Sequence, residues 1–177
     1  MNKLRRSGHD RILCVSGAGM ALLLSAGLAA ASSVTVPVRV TFVDPIAISK
    51  VSALQFGSID QNLADSETVT VAPDSTVTDP ADRVEGGLQA AASLTVTAAP
   101  GNMITIYVDS DVSGAGYSLT DFRCNYNAGS NEACDGLGYS ETSVASARLL
   151  VGATLTGDGT AVAGVADGSL DVTIIYQ

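Results

Sequence analysis

Short segments in which apolar and polar residues alternate recur along most of the chain. The last segment shows the pattern most clearly, with an apolar set, Leu170, Val172, Ile174 and Tyr176, alternating with Ser169, Asp171, Thr173 and Ile175. Alternation of this kind places one set of side chains on each face of an extended strand. We therefore predict that the chain ends on a β-strand with one apolar face.

The same period appears near the start, at Val34, Val36, Val38, Val40 and Phe42. Runs rich in Val, Ile, Thr and Tyr predict further strands at 46–51, 54–59, 68–71, 92–97, 103–108, 117–126 and 144–155. Gly57 predicts a bulge, and Ala99 to Asn102 predicts the turn of a hairpin. Residues 73–87 predict a looser stretch. Because helix signals are nearly absent, we expect an all-β chain that forms a sandwich of two sheets.

The first residues predict an exported protein. Four basic residues precede an apolar run from Met20 to Leu28, and Ala29 to Ser32 supplies a small-residue cleavage site. Glycines interrupt the run and no stop-transfer charges follow it, which argues against a transmembrane helix. We predict a signal peptide over 1–31 that is cut after Ala31, an N-terminal strand or extension over 32–43, and one sandwich domain over 44–177. No membrane insertion is expected after cleavage.

Cleavage changes the available chemistry. The remaining chain has five basic residues and seventeen acidic ones, a net charge near −12, which argues against nucleic acid as a partner. Cys124 and Cys134 are its two cysteines. In an exported protein they predict a structural disulfide, worth about 3 kcal/mol by loop closure. A redox C-x-x-C pair is excluded by the spacing, and a zinc site would need more ligands.

Few residues point to catalysis or to a cofactor. The only histidine, His9, lies in the predicted signal peptide, so a Ser-His-Asp or Cys-His arrangement is not expected. We therefore predict no enzyme, no cofactor and no metal. Asp109 to Gly114 begins like a calcium loop, but Thr120 stands where the bidentate glutamate belongs, so a solvated turn after a strand is expected. Four tyrosines could face a sugar or pack half-buried: Tyr107, Tyr117, Tyr126 and Tyr139.

Several spaced motifs resemble one exported bacterial family. They include T-F-V-D-P-I-A-I-S-K-V-S-A-L-Q-F-G-S-I at 41–59, L-L-V-G-A-T-L at 149–155 and the closing D-V-T-I-I-Y. The chain is similar to the domain of unknown function 4402 family, and through it to spore coat protein U and the archaic chaperone-usher pilin subunits. Gly164, fourteen residues from the C-terminus, and the penultimate Tyr176 match the pattern of a pilin's last strand.

The resemblance implies an immunoglobulin-like sandwich, complete or lacking one strand as in pilins. In such subunits a neighbour's N-terminal extension fills the open groove by β-strand addition. The donor strand would carry Val34, Val36, Val38, Val40 and Phe42, whose burial would contribute on the order of 8 to 15 kcal/mol before ordering costs. The C-terminal assembly strand, presented to a chaperone, would carry Gly164, Leu170, Val172, Ile174 and Tyr176.

The function implied is a structural subunit of a pilus or fimbria-like filament. Its partners would be copies of itself or related subunits, a periplasmic chaperone and an outer-membrane usher, and its route would run through the periplasm to the cell surface. Pro37 within the donor strand and the late position of the cysteine pair depart from the common pilin pattern. The alternative is that residues 34–43 form the first strand of a self-complete periplasmic or cell-surface module that binds carbohydrate or protein.

Overall fold

The computed structural model of the chain describes residues 37, 39–111, 116–164 and 168–177. Residues 41–177 form one compact unit, and residues 1–40 are a separate unit in which Pro37, Arg39 and Val40 are described as exposed. All regular structure in the described residues is β-strand, which confirms the all-β prediction. The strands are β1 (Ala47–Ser52), β2 (Gln55–Ile59), β3 (Thr68–Val71), β4 (Val77–Thr78), β5 (Val84–Ala90), β6 (Ala92–Thr97), β7 (Met103–Asp111), β8 (Tyr117–Tyr126), β9 (Glu132–Ala133), β10 (Tyr139–Thr142), β11 (Ser146–Gly157) and β12 (Ser169–Tyr176).

The long strand β11 organises the larger sheet. On one side it pairs with β6 through residues 146–151 and then with β3 through residues 153–156, and on the other side it pairs with β8. The order along the sheet is β1-β6-β11-β3-β4, with β8 and β9 completing seven strands. Gly152 lies where β6 gives way to β3, at a point where any side chain would collide with the Val71 carbonyl. A glycine here lets one strand serve two partners.

Two smaller sheets complete the described fold. The order β10-β7-β12 makes a three-stranded antiparallel sheet, and β2 pairs with β5. Gly57 in β2 has a φ of 81° and lies at a register shift between Phe56 and Ser58, which confirms the predicted bulge. One apolar cluster lies between the seven-stranded and three-stranded sheets, so the molecule is a β-sandwich; its fully buried members include Val96, Ile104, Ile106, Leu149 and Val151.

The predicted disulfide is present and lies within this core. Cys124 in β8 and Cys134 just after β9 are bonded, and neither is exposed. The Cys134 N–H donates to the Phe122 carbonyl in β8, while the Cys134 carbonyl accepts from the Val108 N–H in β7. The cystine segment therefore connects the larger sheet to the three-stranded sheet.

The prediction of a hairpin at Ala99 to Asn102 is wrong. The strands on either side of this turn, β6 and β7, belong to different sheets and do not pair. Ser143 holds the turn instead: its hydroxyl donates to the Ala99 carbonyl, and its carbonyl accepts from the Gly101 N–H. The segment therefore links two sheets instead of closing a hairpin. Its hydrogen bonds come from Ser143, a residue distant in sequence.

Three further expectations need correction. Residues 73–87 hold β4 and the start of β5, so the stretch is more regular than predicted. Strand β10 forms in the segment after the cystine, where no strand was predicted. Strand β7 continues to Asp111, so Asp109 lies within a strand rather than in a turn after it. Residues 112–114 of the calcium-like segment lie outside the described residues.

Candidate functional site: a groove between two sheet edges

A groove of about 1020 Å³ runs between β1 and β12, which are end strands of two different sheets. On one side it is lined by β1 and the chain leading into β2, and on the other by 161–164, 168–170 and Val172. Its floor comes from β6, β8 and β11. The lining residues include Ile48, Lys50, Leu54, Phe56, Leu63, Ala92, Leu94, Leu119, Leu155, Ala161, Gly164, Gly168, Leu170 and Val172. We call this feature the apolar groove.

The groove exposes the flank of the hydrophobic core. Leu54, Phe56, Leu119, Leu170 and Val172 pack against the buried cluster, yet each remains only half-buried. Packed interiors normally leave few such gaps, and an apolar side chain gains about 25 cal/mol for each Å² removed from water. The described residues therefore leave the core incompletely covered along this line, and further apolar side chains would be stabilised here.

The backbone of β12 offers hydrogen bonds along the same line. Among the described residues, β12 has a strand neighbour only on its β7 side, and we call its other side the open edge of β12. The Gln177 N–H donates to the Met103 carbonyl, so odd-numbered residues direct their backbone groups toward β7. Because backbone direction alternates along a strand, Leu170, Val172 and Ile174 direct theirs toward the open edge.

The chain enters the sandwich beside the far end of β12. The Tyr176 hydroxyl accepts a hydrogen bond from the Ala99 N–H at 2.7 Å and donates one to the Asp44 carbonyl at 2.9 Å. Tyr176 therefore ties the C-terminal strand to the turn after β6 and to the segment that precedes β1. The end of the N-terminal segment is fixed near Tyr176, while the apolar groove opens near Gly168.

The structure describes part of the predicted donor segment. Residues 39–46 form no strand, and Val40, Phe42 and Val43 are 65%, 92% and 46% exposed. Val34, Val36 and Val38 lie outside the described residues. A phenylalanine that is almost fully exposed leaves a large apolar surface in water.

The predicted C-terminal strand is present, with the predicted facing. Leu170, Val172, Ile174 and Tyr176 are buried or half-buried, while the residues between them are exposed. Gly164 is exposed, with a φ of 151°, in the segment before β12. Sequence reasoning did not identify Leu54, Phe56 and Leu119 as groove residues, although each belongs to a predicted apolar run.

Charged groups lie around the groove rather than on its floor. Lys50 on β1 is paired in register with the buried Leu94, so it points to the core side of the strand and lines the groove. Asp171 is exposed on the outer face of β12, directly opposite Asp109 on β7. Asp171 therefore places an exposed carboxylate on the outer face of β12.

An ion-pair network fixes the loop between β2 and β3. The Arg83 guanidinium donates two hydrogen bonds of 2.8 Å to Glu67 and approaches Asp60 at 3.3 Å. The Arg83 hydrogen bonds and then the Ala64 N–H lower the pKa of Glu67. For Asp60, the Asn62 N–H is the main cause of a lowered pKa. This network has the features of a structural clamp.

The remaining candidates give no second site. Tyr126 and Tyr139 are buried, and burial followed by a hydrogen bond to Glu141 raises the pKa of Tyr139. Within the described residues, no three or more acids, cysteines or histidines are grouped so as to hold a metal ion. The same part of the chain has no helix with the length and apolar character needed to cross a membrane.

Comparison with known proteins places the chain in a family. A family model described as a domain of unknown function (DUF4402) matches residues 46–176, a range that contains all twelve described strands. The chain belongs to this family. Membership of the DUF4402 family confirms the first part of the resemblance seen in the sequence. No curated protein matches the chain.

Proposed function

We propose that this DUF4402 protein is an exported structural subunit that polymerises into a pilus or fimbria-like filament by strand donation. The apolar groove of one copy accepts the N-terminal segment of a second copy as an additional strand. The observation that carries this proposal is the coincidence of the apolar groove with the open edge of β12. Strand addition needs both features, because backbone hydrogen bonds give affinity and side-chain pockets give specificity.

The donor segment fits the groove in period and polarity. Its apolar residues occupy even positions from 34 to 42, and the core-facing residues of β12 are also even, from 170 to 176; of these, Leu170 and Val172 line the groove. Residues directly opposite in neighbouring strands point to the same face. When even positions of the donor face even positions of β12, every apolar donor side chain therefore points to the core side of the sheet.

Pro37 is compatible with this arrangement. The open edge of β12 carries the backbone groups of Leu170, Val172 and Ile174. When even positions of the donor lie opposite even positions of β12, the donor residues that form backbone hydrogen bonds to β12 are therefore the even-numbered ones. Pro37 is odd, so its missing N–H falls on the side away from β12 and removes no hydrogen bond from the ladder with β12. Pro37, which departs from the common pilin pattern in the sequence, is thus compatible with a donor strand in this position.

We expect the mature protein to run as a ladder on an unheated detergent gel and as a monomer after boiling. Deleting 33–42 should leave an exported monomer. Val40→Asp, which places a charge on the groove-facing side, should reduce the ladder by about tenfold or more, because an unpaired buried carboxylate is strongly disfavoured.

Thr41→Asp is the matched control, since it adds the same charge one position away on the solvent-facing side. It should keep the ladder. A ladder from the deletion variant, or equal effects of the two aspartates, would contradict strand donation. A sharp monomer from the unaltered protein in both lanes would favour the alternative, a self-complete module that binds carbohydrate or protein in the groove.

A further inference from the structure

We propose that Phe42 and Arg39 fix the direction and register of the donated strand. This inference rests on the proposed function. In our assignment the incoming strand runs antiparallel to β12, with Phe42 opposite Gly168 and Arg39 opposite Asp171 of the accepting copy. Such a register selects one of several alignments that an alternating valine strand could otherwise adopt.

The location of the open space in the groove determines which residue of β12 we place opposite Phe42. Beside β12 the apolar groove is lined by residues 168–170 and Val172, whereas Ile174 is only 8% exposed and lies within the core. Phe42 is the largest apolar residue of the donor segment, and Gly168 brings no side chain into the space opposite. Placing Phe42 at Gly168 puts the largest donor side chain opposite a groove-lining residue that has no side chain of its own. It also sets three opposite pairs: Val40 with Leu170, Val38 with Val172, and Val36 with Ile174.

The charges agree with the same alignment. Arg39 is the only basic residue between Ser32 and Pro45, and its odd position turns it to the outer face. In this register it lies directly opposite Asp171, which is exposed on the same outer face. Opposite charges on directly facing residues of neighbouring strands attract. Exposed pairs of this kind mainly select register, since each is individually weak.

The entry point of the chain shows that this strand must come from another copy. Asp44 is held at Tyr176, and Gly168 lies eight residues away along β12, about 27 Å. Phe42 is two residues from Asp44 and can reach only about 7 Å. A segment folded back on its own groove would instead run parallel to β12, with Phe42 near the buried Ile174 and Arg39 still near Asp171.

Paired cysteines distinguish these two directions. In the full mature chain, T41C with S169C places the thiols opposite each other between copies, at a Cα separation of about 4.5 Å that suits a disulfide. The matched pair T41C with T173C lies opposite only in the parallel, self-inserted arrangement. We expect oxidised, boiled T41C/S169C protein to remain a covalent ladder, and T41C/T173C protein to run as a monomer. An intramolecular bond in T41C/T173C would overturn the assigned direction.

Charge reversal tests the register. R39D alone and D171R alone should each assemble about 3- to 10-fold more slowly than the unaltered chain, because attraction becomes repulsion. A 1:1 mixture of the two should recover to within about twofold, since each donor then meets an opposite charge in the other copy. Salt of about 0.5 M should reduce the differences. Single variants that assemble normally, or a mixture that does not recover, would overturn the pairing.

The behaviour of the unaltered chain distinguishes a failure of the assigned register from a failure of the proposed function. If it forms a heat-sensitive ladder while the cysteine and charge variants behave contrary to expectation, strand donation stands and this register is wrong. If it forms no ladder, both the proposed function and the register fall.

Discussion

The hydroxyl of one residue, Tyr176, joins three parts of the molecule. It accepts from the Ala99 N–H and donates to the Asp44 carbonyl, so the turn between sheets, the entry of the chain and its last strand meet at one oxygen. Ala99 is buried, and its N–H depends on this contact. The tyrosine ring alone could fill the space, but only the hydroxyl connects these elements.

We therefore expect Tyr176→Phe to destabilise the mature protein by about 1–3 kcal/mol, because a buried N–H loses its acceptor. Urea unfolding at pH 7 measures the change. Tyr107→Phe is the control: Tyr107 is half-buried on β7, and among the described residues its hydroxyl makes no side-chain hydrogen bond. It should change stability by less than about 0.5 kcal/mol. Equal losses in both variants would show that the Tyr176 hydroxyl has no special role.

At the scale of elements, local sequence predicted strands better than it predicted their partners. Alternation located β3 and β8 because each has a buried face and a more exposed one, and it located β6, which is buried on both faces over Ala92–Leu94. It could not show that β6 and β7 lie in different sheets, since Ser143, which holds their connecting turn, is distant in sequence. Strand β5 contains Gly86 and Gly87, which have low strand propensity, and it forms through pairing with β2.

The groove was predictable only in part, for the same reason. The alternating pattern of β12 identified its apolar face. The alternating pattern does not predict which other strands pack against that face. The lining residues Leu54 and Phe56 come from one segment and Leu119 from another, distant in sequence, so their shared exposure is a property of the assembled sheets.

The Arg83 clamp gives an element-scale prediction about pH. Hydrogen bonds from Arg83 lower the pKa of Glu67 from its ordinary 4.5, so the folded state favours the ionised form. The resulting stability is present above pH 4.5 and is lost as the pH falls through the lowered folded-state pKa. Glu67→Gln should therefore lower the urea midpoint at pH 7, and the difference from the unaltered protein should shrink below pH 4.5.

Glu85→Gln provides the control, because Glu85 is exposed and forms no ion pair among the described residues. Its midpoints should follow those of the unaltered protein across the pH range. A Glu67→Gln difference that stays constant down to pH 3 would assign the loss to packing of the loop rather than to the charge.

At the scale of the whole molecule, charge lies close to the partly exposed core. The net charge near −12 of the predicted mature chain keeps separate copies apart, and Lys50 on the core side of β1 discourages indiscriminate pairing at that edge. In the proposed strand donation, a correctly matched strand would overcome both barriers because it supplies backbone hydrogen bonds and apolar side chains together, and assembly would be directed to one partner segment.

A free donor peptide should therefore stabilise a subunit that cannot assemble. The acceptor is the full mature chain carrying Val40→Asp, and the ligand is a synthetic peptide of residues 33–44 with the unaltered sequence. Because the peptide binds the folded state alone, the melting temperature should rise with peptide concentration, reaching about 2.7 kcal/mol of added stability at a hundredfold excess over Kd. A peptide carrying Thr41→Asp should act similarly, and one carrying Val40→Asp should not. If all three peptides had the same effect, the groove would not distinguish the two faces of the strand, and donation would lose its physical basis.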